Sequence, residues 1–260
     1  RMVETVHKEK SPFQEIEVID TVDFGRMLLL DGIIQTSVRD EFIYHEMIAH
    51  VPLFTHPNPE RVLVIGGGDG GTVREVLKHP GVQHVHLVEI DQRVVEVSKT
   101  YLPELSRGFD DPRVKLTFTD GIEYVKSCRD EYDVILIDAP DPEGPAVGLF
   151  TYEFYQDTCK ALREDGVMAA QTESPFMDPK LVKEIYDCIS KAYPACKLYT
   201  AHVPTYSMGI WSFILGLRRP ELFDTPRAPH EGFTSRYYTP EVHRAAFALP
   251  KFVQDNLGIS

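Results

Sequence analysis

From residue 61 onward, short apolar segments alternate with segments of helical character, and this alternation limits the possible folds more than any other feature. Strands that are separated by helices usually form right-handed βαβ units, which build a parallel sheet. The sequence therefore predicts an α/β fold. The segments that predict its first four strands are RVLVI, HVHLVEI, RVKLTFTD and DVILID.

Later segments predict how this sheet ends. GVMAAQ, CKLYTAHV and GIWSFILGL have strand character, and only the short PTYSM joins the last two. A parallel connection needs a longer crossover, so we expect the sheet to finish with an antiparallel hairpin.

The part of the chain before residue 40 has a different character. QEIEVIDTVDFGRMLLLDGIIQTSV contains short β-type runs separated by DFG and DG, which indicates antiparallel hairpins. DEFIYHEMIAHVPLF then has apolar residues at helical spacing behind Asp40, a candidate N-cap, which places Tyr44 and His45 on a helix. We therefore expect a β-strand domain at residues 1–39 and a catalytic domain at residues 40–260.

The overall charge is strongly acidic. The 260 residues include 40 Asp and Glu against 27 Lys and Arg, a formal charge of −13, which disfavours nucleic acid as a partner and suits cationic ligands. The four cysteines have no C-x-x-C spacing, and no apolar run is long enough for a membrane span. We expect a cytoplasmic protein without a membrane partner. Because Arg1 opens material that already looks structured, we also expect an incomplete N-terminus.

The segment IGGGDGG follows the first strand of the α/β part and contains an unexpected carboxylate, Asp69. Glycine-rich turns at this place commonly bind the pyrophosphate of a dinucleotide. Two like charges 4 Å apart repel by about 4 kcal/mol at an effective dielectric constant near 20. The segment therefore predicts a ligand that carries positive charge near Asp69.

Acidic residues also follow the other predicted strands. Ligands of open parallel sheets bind at the carboxyl ends of the strands, so these acids should lie together. Glu89 lies 23 residues after Gly66, near the spacing at which an acid binds ribose hydroxyls, and this favours an adenosine-type ligand. The acids are Asp69, Glu89, Asp120 (followed by Gly121), Asp138 and Asp141.

An adenosine that bears a sulfonium provides both the positive charge expected near Asp69 and the ribose expected near Glu89. Intact S-adenosylmethionine has a carboxylate that Asp69 would oppose, whereas its decarboxylated form ends in an aminopropyl ammonium. Asp138 and Asp141 offer partners for a second cation such as a diamine, with Tyr44, His45 and Tyr206 as candidate walls of its pocket.

The chain resembles the polyamine aminopropyltransferases, most closely those that act as bacterial spermidine synthases. Long segments carry the resemblance in order along nearly the whole chain, among them LDGIIQTSVRDEFIYHEMIAHVPL, VLVIGGGDGGTVREVLKH, YDVILIDAPDPEGPAVGLFT and YYTPEVHRAAFALP. The resemblance implies a seven-stranded Rossmann-like domain of the methyltransferase type behind an N-terminal β domain, in a homodimer or homotetramer. It implies transfer of the aminopropyl group of decarboxylated S-adenosylmethionine, a co-substrate, to putrescine, which yields spermidine and methylthioadenosine.

The resemblance also implies roles for individual residues. Asp138 corresponds to the family's proton acceptor, and Asp69 to the residue that binds the aminopropyl amine. Contacts with the adenosine part are implied for Gln14, Glu89, Asp120, Gly121 and Pro145. Contacts with the diamine are implied for Gln35, Tyr44, His45, Asp141 and Tyr206.

Some alternatives remain open on the sequence. Family members commonly have Ser or Thr at the positions of Ala139 and Pro140, which leaves acceptors other than putrescine open: cadaverine, agmatine and spermidine would meet similar acids. An S-adenosylmethionine-dependent amine N-methyltransferase and a non-catalytic polyamine or nucleoside sensor are the other candidates. In HEMIAH the two histidines are five positions apart, not the four of a zinc protease, so we expect no metal site and a structural role for His50.

Overall fold

The computed structural model describes residues 1–140, 144–206 and 209–259, with the backbone alone at Gly144 and Pro145. An antiparallel sheet opens the chain, as the turn signals predicted, and its strand order is β1-β2-β3-β4. The first strand lies before the segment that predicted the hairpins. The strands are β1 (Met2–Lys10), β2 (Glu15–Thr21), β3 (Gly25–Leu30) and β4 (Ile33–Ser37).

A second sheet of seven strands follows, in the order β10-β11-β9-β8-β5-β6-β7. β5, β6, β7, β8 and β9 pair in parallel, and β11 runs antiparallel to both of its neighbours, which confirms the predicted closing hairpin. The strands are β5 (Arg61–Gly66), β6 (His84–Glu89), β7 (Val114–Phe118), β8 (Tyr132–Asp138), β9 (Leu162–Gln171), β10 (Ala195–His202) and β11 (Ile210–Leu217).

Helices cover both faces of this sheet. The α-helices of the described chain are α1 (Glu41–Thr55), α2 (Gly71–Val76), α3 (Gln92–Tyr101), α4 (Pro103–Ser106), α5 (Gly121–Lys126), α6 (Tyr152–Ala161), α7 (Pro179–Ala192), α8 (Pro240–Ala246) and α9 (Lys251–Leu257). Short 3₁₀ segments span Arg107–Asp110, Gly144–Phe150 and Pro220–Asp224. Among the helices of these residues, none combines the length and the apolar character that a membrane crossing requires.

Strand β8 shows why the central strands read as continuous apolar runs. Val134 and Leu136 lie in the core on one face of the sheet, while Ile135 and Ile137 lie in the core on the other face. Because successive side chains of a strand point to opposite faces, a strand covered by helices on both sides must be apolar throughout.

The prediction for Asp40 was only half right. Asp40 does precede the first turn of α1, which places Tyr44 and His45 on the helix as predicted, but its side chain makes no capping hydrogen bond. Instead the carboxylate accepts from the hydroxyl of Ser37 at 2.6 Å and from the backbone N–H of Thr205 at 2.7 Å. It therefore joins α1 to the loop after β10, and helical periodicity could not reveal a partner so distant in sequence.

The small sheet packs on the large one near the end of β6. Asp91 accepts hydrogen bonds from the hydroxyl of Ser11 at 2.6 Å and from the side-chain amide of Gln14 at 3.0 Å. Arg26 of β3 donates to the carbonyl of Tyr101 at 3.2 Å. These contacts bring the β1–β2 loop to the carboxyl edge of the large sheet.

Candidate active site

The glycine-rich turn between β5 and α2 lies where the strand order reverses, since β6 and β8 flank β5. Gly66 and Gly67 have φ angles of +80° and +70°. A Cβ at Gly66 would stand 2.2 Å from the carbonyl oxygen of Asp138, and the N–H of Gly67 donates to that oxygen at 2.8 Å. Only glycine permits both the backbone angles and this approach. The turn therefore packs against the end of β8.

A cavity of about 300 Å³ opens at this edge of the sheet. Four of the predicted acids line it, namely Asp69, Glu89, Asp120 and Asp138. The small sheet supplies part of the wall through the β1–β2 loop and strands β3 and β4. Further lining residues are Phe13, Gln14, Leu28, Leu30, Gln35, Tyr44, His45, Ile65, Val88, Val94, Gly121, Gln171, Tyr206 and Trp211.

Asp138 ends β8, and a hydroxyl donates to each of its carboxylate oxygens. Tyr44 donates to Oδ1 at 2.7 Å and Thr72 to Oδ2 at 2.6 Å. Burial, followed by the charge of Asp69, raises the pKa of Asp138 above its usual value, although the His45 charge opposes this. Burial and Asp138 also raise the pKa of Tyr44 well above 10, so the phenol remains a donor. The site thus contains an oriented carboxylate that accepts protons more readily than a solvated one.

Asp69 projects from the glycine-rich turn and faces a histidine. Its Oδ1 accepts from the N–H of Gly71 at 2.7 Å and lies 3.4 Å from Nε2 of His45. Burial alone would raise the pKa of Asp69, but the charge of His45 and the Gly71 N–H outweigh it and lower the pKa below its usual value. Asp69 is therefore an ionised carboxylate beside the cavity.

Glu89 ends β6 and is almost fully buried. Its Oε1 accepts from the N–H of Asp91 at 2.9 Å, and a Cβ at Gly68 would lie only 3.1 Å from its Oε2. Burial is the main cause that raises the pKa of Glu89 to about 7, and the nearby Asp91 adds to it. Asp91 also accepts a hydrogen bond from Gln14. Gln14 and Glu89, two of the residues predicted to contact the adenosine part, therefore lie on one wall of the cavity.

The other predicted adenosine contacts lie at the start of α5. Asp120 is the N-cap of this helix and accepts from the N–H of Ile122 at 2.8 Å. A Cβ at Gly121 would stand 2.5 Å from Cγ2 of Ile65, so the helix approaches β5 closely. The backbone of Pro145 belongs to the 3₁₀ segment after β8.

Aromatic rings form the wall on the side predicted for the diamine. The ring centroids of Tyr44 and Tyr206 lie 5.8 Å apart, and those of Tyr206 and Trp211 lie 4.4 Å apart. The hydroxyl of Tyr206 donates to the carbonyl of Gln35 at 2.7 Å. Aromatic faces attract organic cations and also pack against methylene chains. Asp141, predicted for the same side, lies outside the described residues.

Several lining or supporting residues escaped the sequence reasoning. Thr72 could have been noticed at the start of the helix behind the glycine-rich turn, and Glu41 lies one helical turn before His45. No sequence signal indicated Trp211, which was read only as part of a strand, although its Nε1 is buried without a hydrogen-bond partner in the described structure. Arg74 and Asp91 likewise become visible only through their partners.

The histidines of HEMIAH contact different carboxylates, Glu41 and Asp69 at His45 and Glu75 at His50, and Arg74 joins Glu41 to Glu75. His50 contacts His79 at 3.0 Å and Glu75 at 3.1 Å, away from His45. At the opposite edge of the large sheet, groups of His56, Asp133 and Asp165 converge within 4.8 Å. Nδ1 of His56 accepts from the N–H of Asn58 at 3.1 Å, so a neutral ring carries its proton on Nε2 and has no lone pair there for a metal.

The reversal of strand order at β5 and the cavity at the carboxyl ends of the strands define a class, the Rossmann-like proteins with a ligand site at this switch point. A family model described as the spermine/spermidine synthase domain matches residues 41–225, and one described as the spermidine synthase tetramerisation domain matches residues 2–37. The chain belongs to the spermine/spermidine synthase family. As in its relatives, the enzyme class is aminopropyltransferase.

Individual relatives agree with this assignment. The polyamine aminopropyltransferase of Moorella thermoacetica is 54% identical over 259 residues, which are 99% of this chain and 91% of the relative. That of Thermoanaerobacter sp. strain X514 is 52% identical, over 98% of this chain and 92% of its own. Among solved structures, a spermidine synthase in complex with the transition state analogue AdoDATO matches with a TM-score of 0.97 and 45% identity, covering 99% of this chain and 89% of that one. The spermidine synthase of Thermotoga maritima matches with a TM-score of 0.95 and 44% identity, with the same coverage.

Proposed function

We propose that the enzyme transfers the aminopropyl group of decarboxylated S-adenosylmethionine to putrescine and releases spermidine and methylthioadenosine. The observation that carries this proposal is the pair of carboxylates that line the cavity, Asp69 in the glycine-rich turn and Asp138 at the end of β8 beside it. Each can accept one cationic nitrogen. The spermidine synthase that resembles this chain with a TM-score of 0.97 binds AdoDATO, a transition state analogue, which supports a nucleoside co-substrate of this kind.

The two carboxylates would serve different nitrogens. Asp69 would bind the terminal ammonium of the co-substrate, and the adenosine would lie along the wall of Gln14, Glu89 and Asp120. An intact S-adenosylmethionine would bring its own carboxylate toward Asp69 and lose affinity by repulsion. Putrescine would lie against the rings of Tyr44 and Tyr206.

The reaction would be an in-line displacement. The neutral amine nitrogen attacks the methylene next to the sulfonium, the C–N bond forms, and the C–S bond breaks with its electron pair on sulfur. Asp138 orients the attacking nitrogen, stabilises the positive charge that develops on it and accepts its proton, directly or for transfer to water. Its raised pKa favours this last step. Tyr44 and Thr72 orient the carboxylate, since they occupy one lone pair on each oxygen.

Product analysis tests the reaction class and the acceptor together. The protein is incubated with putrescine and either form of the co-substrate, and the amines are analysed by mass spectrometry. We expect a gain of one aminopropyl unit with the decarboxylated form only. A gain of a methyl group with intact S-adenosylmethionine would favour the N-methyltransferase, and no methylthioadenosine release with any amine would favour the sensor. A competition among putrescine, cadaverine, agmatine and spermidine ranks the acceptors.

Two substitutions test the assigned roles. Asp138→Asn should lower kcat by about 100-fold or more while methylthioadenosine still binds. Asp69→Asn should reduce the preference for the decarboxylated co-substrate over the intact one by about tenfold. Near-normal turnover of the first variant, or unchanged discrimination by the second, would contradict the respective role.

The assembly and location complete the proposal. The match of residues 2–37 to a tetramerisation domain supports an oligomer, and we propose a homotetramer, with the homodimer as the alternative that light scattering distinguishes. The division into domains at residues 1–39 and 40–260 and the cytoplasmic location stay predictions.

A further inference from the structure

His45 lies between two carboxylates. Its Nδ1 is 2.6 Å from Oε2 of Glu41, and its Nε2 is 3.4 Å from Oδ1 of Asp69. The side chain is 2% exposed, so water cannot easily replace either partner. A neutral imidazole carries one N–H and can serve only one acceptor, whereas an imidazolium ion carries two. The geometry therefore fits the charged ring.

The Glu41 carboxylate is itself fixed from the other side. Arg74 of α2 approaches both of its oxygens, with NH1 at 3.0 Å from Oε1 and NH2 at 2.7 Å from Oε2. Nε of Arg74 donates to Glu75 at 2.9 Å, which locks the guanidinium. The ring of His45 also packs against Gly71, where a Cβ would stand 2.2 Å from Cε1. The orientation of the His45 ring is therefore fixed by Glu41, Arg74 and Gly71.

Charged and titratable groups face His45 from three elements. Glu41 and Tyr44 belong to α1, Asp69 and Arg74 to the glycine-rich turn and α2, and Asp138 to β8. Burial would lower the pKa of His45, but Asp69 and Glu41 together raise it well above 6.5. Without the charge of Glu41, Arg74 would lose the partner that offsets its own positive charge near the ring.

We propose that Glu41 is a positioning residue for aminopropyl transfer, which acts by keeping His45 as an imidazolium ion against Asp69. The imidazolium offsets part of the repulsion between Asp69 and Asp138, so both acids stay available for the cationic nitrogens of the two substrates. Arg74 keeps the carboxylate of Glu41 in place. This inference rests on the proposed chemistry at Asp69 and Asp138, but the charge on His45 can be measured without any substrate.

The first experiment is an NMR titration of the histidine rings in the substrate-free protein, with the His45 signal assigned by its loss in His45→Gln. We expect His45 of the wild type to titrate well above the usual range of histidine. In Glu41→Gln we expect its pKa to fall by about 1 to 3 units, the usual effect of removing an adjacent opposite charge. Glu75→Gln is the matched control, because Glu75 is a buried acid that also pairs with Arg74 but does not contact His45.

The second experiment compares kcat/KM for the decarboxylated co-substrate across pH 6 to 9. The ratio of Glu41→Gln to wild type cancels the ionisation of the amine acceptor. We expect this ratio to fall by about tenfold or more as pH rises through the lowered pKa of His45, because one pKa unit is a tenfold change in its charged fraction. The ratio for Glu75→Gln should stay flat. Glu41→Asp, which keeps the charge, should restore most of the activity at pH 9.

A double variant shows whether Glu41 acts through His45. If it does, Glu41→Gln combined with His45→Gln should be no worse than His45→Gln alone. Additive losses would overturn the inference, as would a pH-independent ratio for Glu41→Gln or a wild-type His45 that titrates below pH 7. If Glu41→Gln fails to fold, Glu41→Asp tests the contribution of Glu41 in its place, and a wild-type His45 that titrates in the ordinary range of histidine overturns the inference without any variant. Failure of the putrescine reaction would remove the proposed function but leave the titration result intact.

Discussion

At the scale of single residues, the site depends on which partner each carboxylate has. Asp138 accepts hydrogen bonds from two hydroxyls, whereas Glu89 accepts one from the backbone N–H of Asp91. Asp69 is ionised because it faces the imidazolium ion of His45, whereas burial raises the pKa of Glu89 to about 7. The acids at the carboxyl edge of the large sheet therefore differ in charge at neutral pH, and these differences in charge can be measured.

Thr72 should prove necessary for fast turnover. In Thr72→Val the side chain keeps its shape but Oδ2 of Asp138 loses a hydrogen bond of 2.6 Å. A hydrogen bond to a charged group contributes about 1.5 to 3 kcal/mol, so we expect kcat to fall by about 10- to 100-fold. Steady-state kinetics check this, with Thr72→Ser as the variant that keeps the hydroxyl. Equal loss in both variants would show that the methyl group matters instead.

Glu89 should favour nucleoside binding at the expense of stability. Its folded pKa of about 7 lies above the usual 4.5, so its stabilising contribution is complete at low pH and is lost as pH rises through 7. In Glu89→Gln, which cannot ionise, we expect the free energy of unfolding relative to wild type to be about 1 to 3 kcal/mol higher at pH 8 than at pH 5.

The same variant should bind nucleoside more weakly. Ribose hydroxyls donate more strongly to a carboxylate than to an amide, so methylthioadenosine affinity should fall by about tenfold at pH 8. Wild-type affinity should itself rise as pH increases through 7. Urea unfolding and calorimetric titration at the two pH values measure both effects. A variant that is equally stabilised at pH 5 and pH 8 would speak against the raised pKa of Glu89.

At the scale of elements, the turn from β5 to α2 and the first half of α1 form one unit. The ring of His45 on α1 lies on Gly71, the first residue of α2, and the hydroxyl of Thr72 reaches Asp138 on β8. Helix α1 spans Glu41–Thr55, so Tyr44 and His45 are adjacent on its first turns, one facing Asp138 and the other facing Asp69. A small displacement of either element would change both carboxylates.

Gly71→Ala tests this close contact. The new Cβ would stand 2.2 Å from Cε1 of the buried His45 ring, so the ring or the helix must move. We expect a loss of about 1 to 3 kcal/mol in the free energy of unfolding, typical of overpacking, together with a large loss of kcat. Gly81→Ala is the control, since its nearest neighbour would be 3.5 Å away. Chemical denaturation and steady-state kinetics measure the two effects, and wild-type behaviour of Gly71→Ala would mean that the contact is not restrictive.

At the scale of the whole molecule, two sheets and the overall charge shape the site. The small sheet covers one side of the cavity with the β1–β2 loop and strands β3 and β4, so the site is complete only when the two sheets pack together. The formal charge of −13 gives the molecule a negative potential at long range. A cationic substrate is attracted over a longer range than its contacts reach, and salt screens this attraction.

The acidic charge predicts how salt affects the reaction. Raising sodium chloride from about 10 mM to 300 mM shortens the screening length severalfold, so kcat/KM for putrescine should fall by about three- to tenfold. Methylthioadenosine is uncharged, and its dissociation constant should change by less than about twofold. Kinetics and calorimetry over the salt series check the two expectations. Parallel changes for both ligands would point to an effect of salt on the protein rather than on the attraction of the cation.

Local patterns were enough to specify the parallel sheet, its antiparallel end, the glycine-rich turn and the acids that follow the strands. Strand and helix periodicity are properties of adjacent residues, and the side-chain type alone indicates the sign of the charge. The same reasoning assigned a capping role to the Asp40 side chain and missed Thr72 and Trp211. Their roles depend on residues far away along the chain: Thr72 and Asp138 are 66 positions apart, and Asp40 and Thr205 are 165 apart.

Only the packing of these distant segments decides the charge state of each acid. Burial raises the pKa of both Glu89 and Asp138, while His45, whose charge is stabilised by Asp69 and Glu41, lowers that of Asp69. The sequence alone predicts that acids for cationic ligands lie at the carboxyl edge of the large sheet, because this prediction needs only the residue types and their spacing. Which carboxylate binds and which accepts a proton follows from the tertiary structure, because a pKa depends on solvent exclusion and on the charges within a few ångströms.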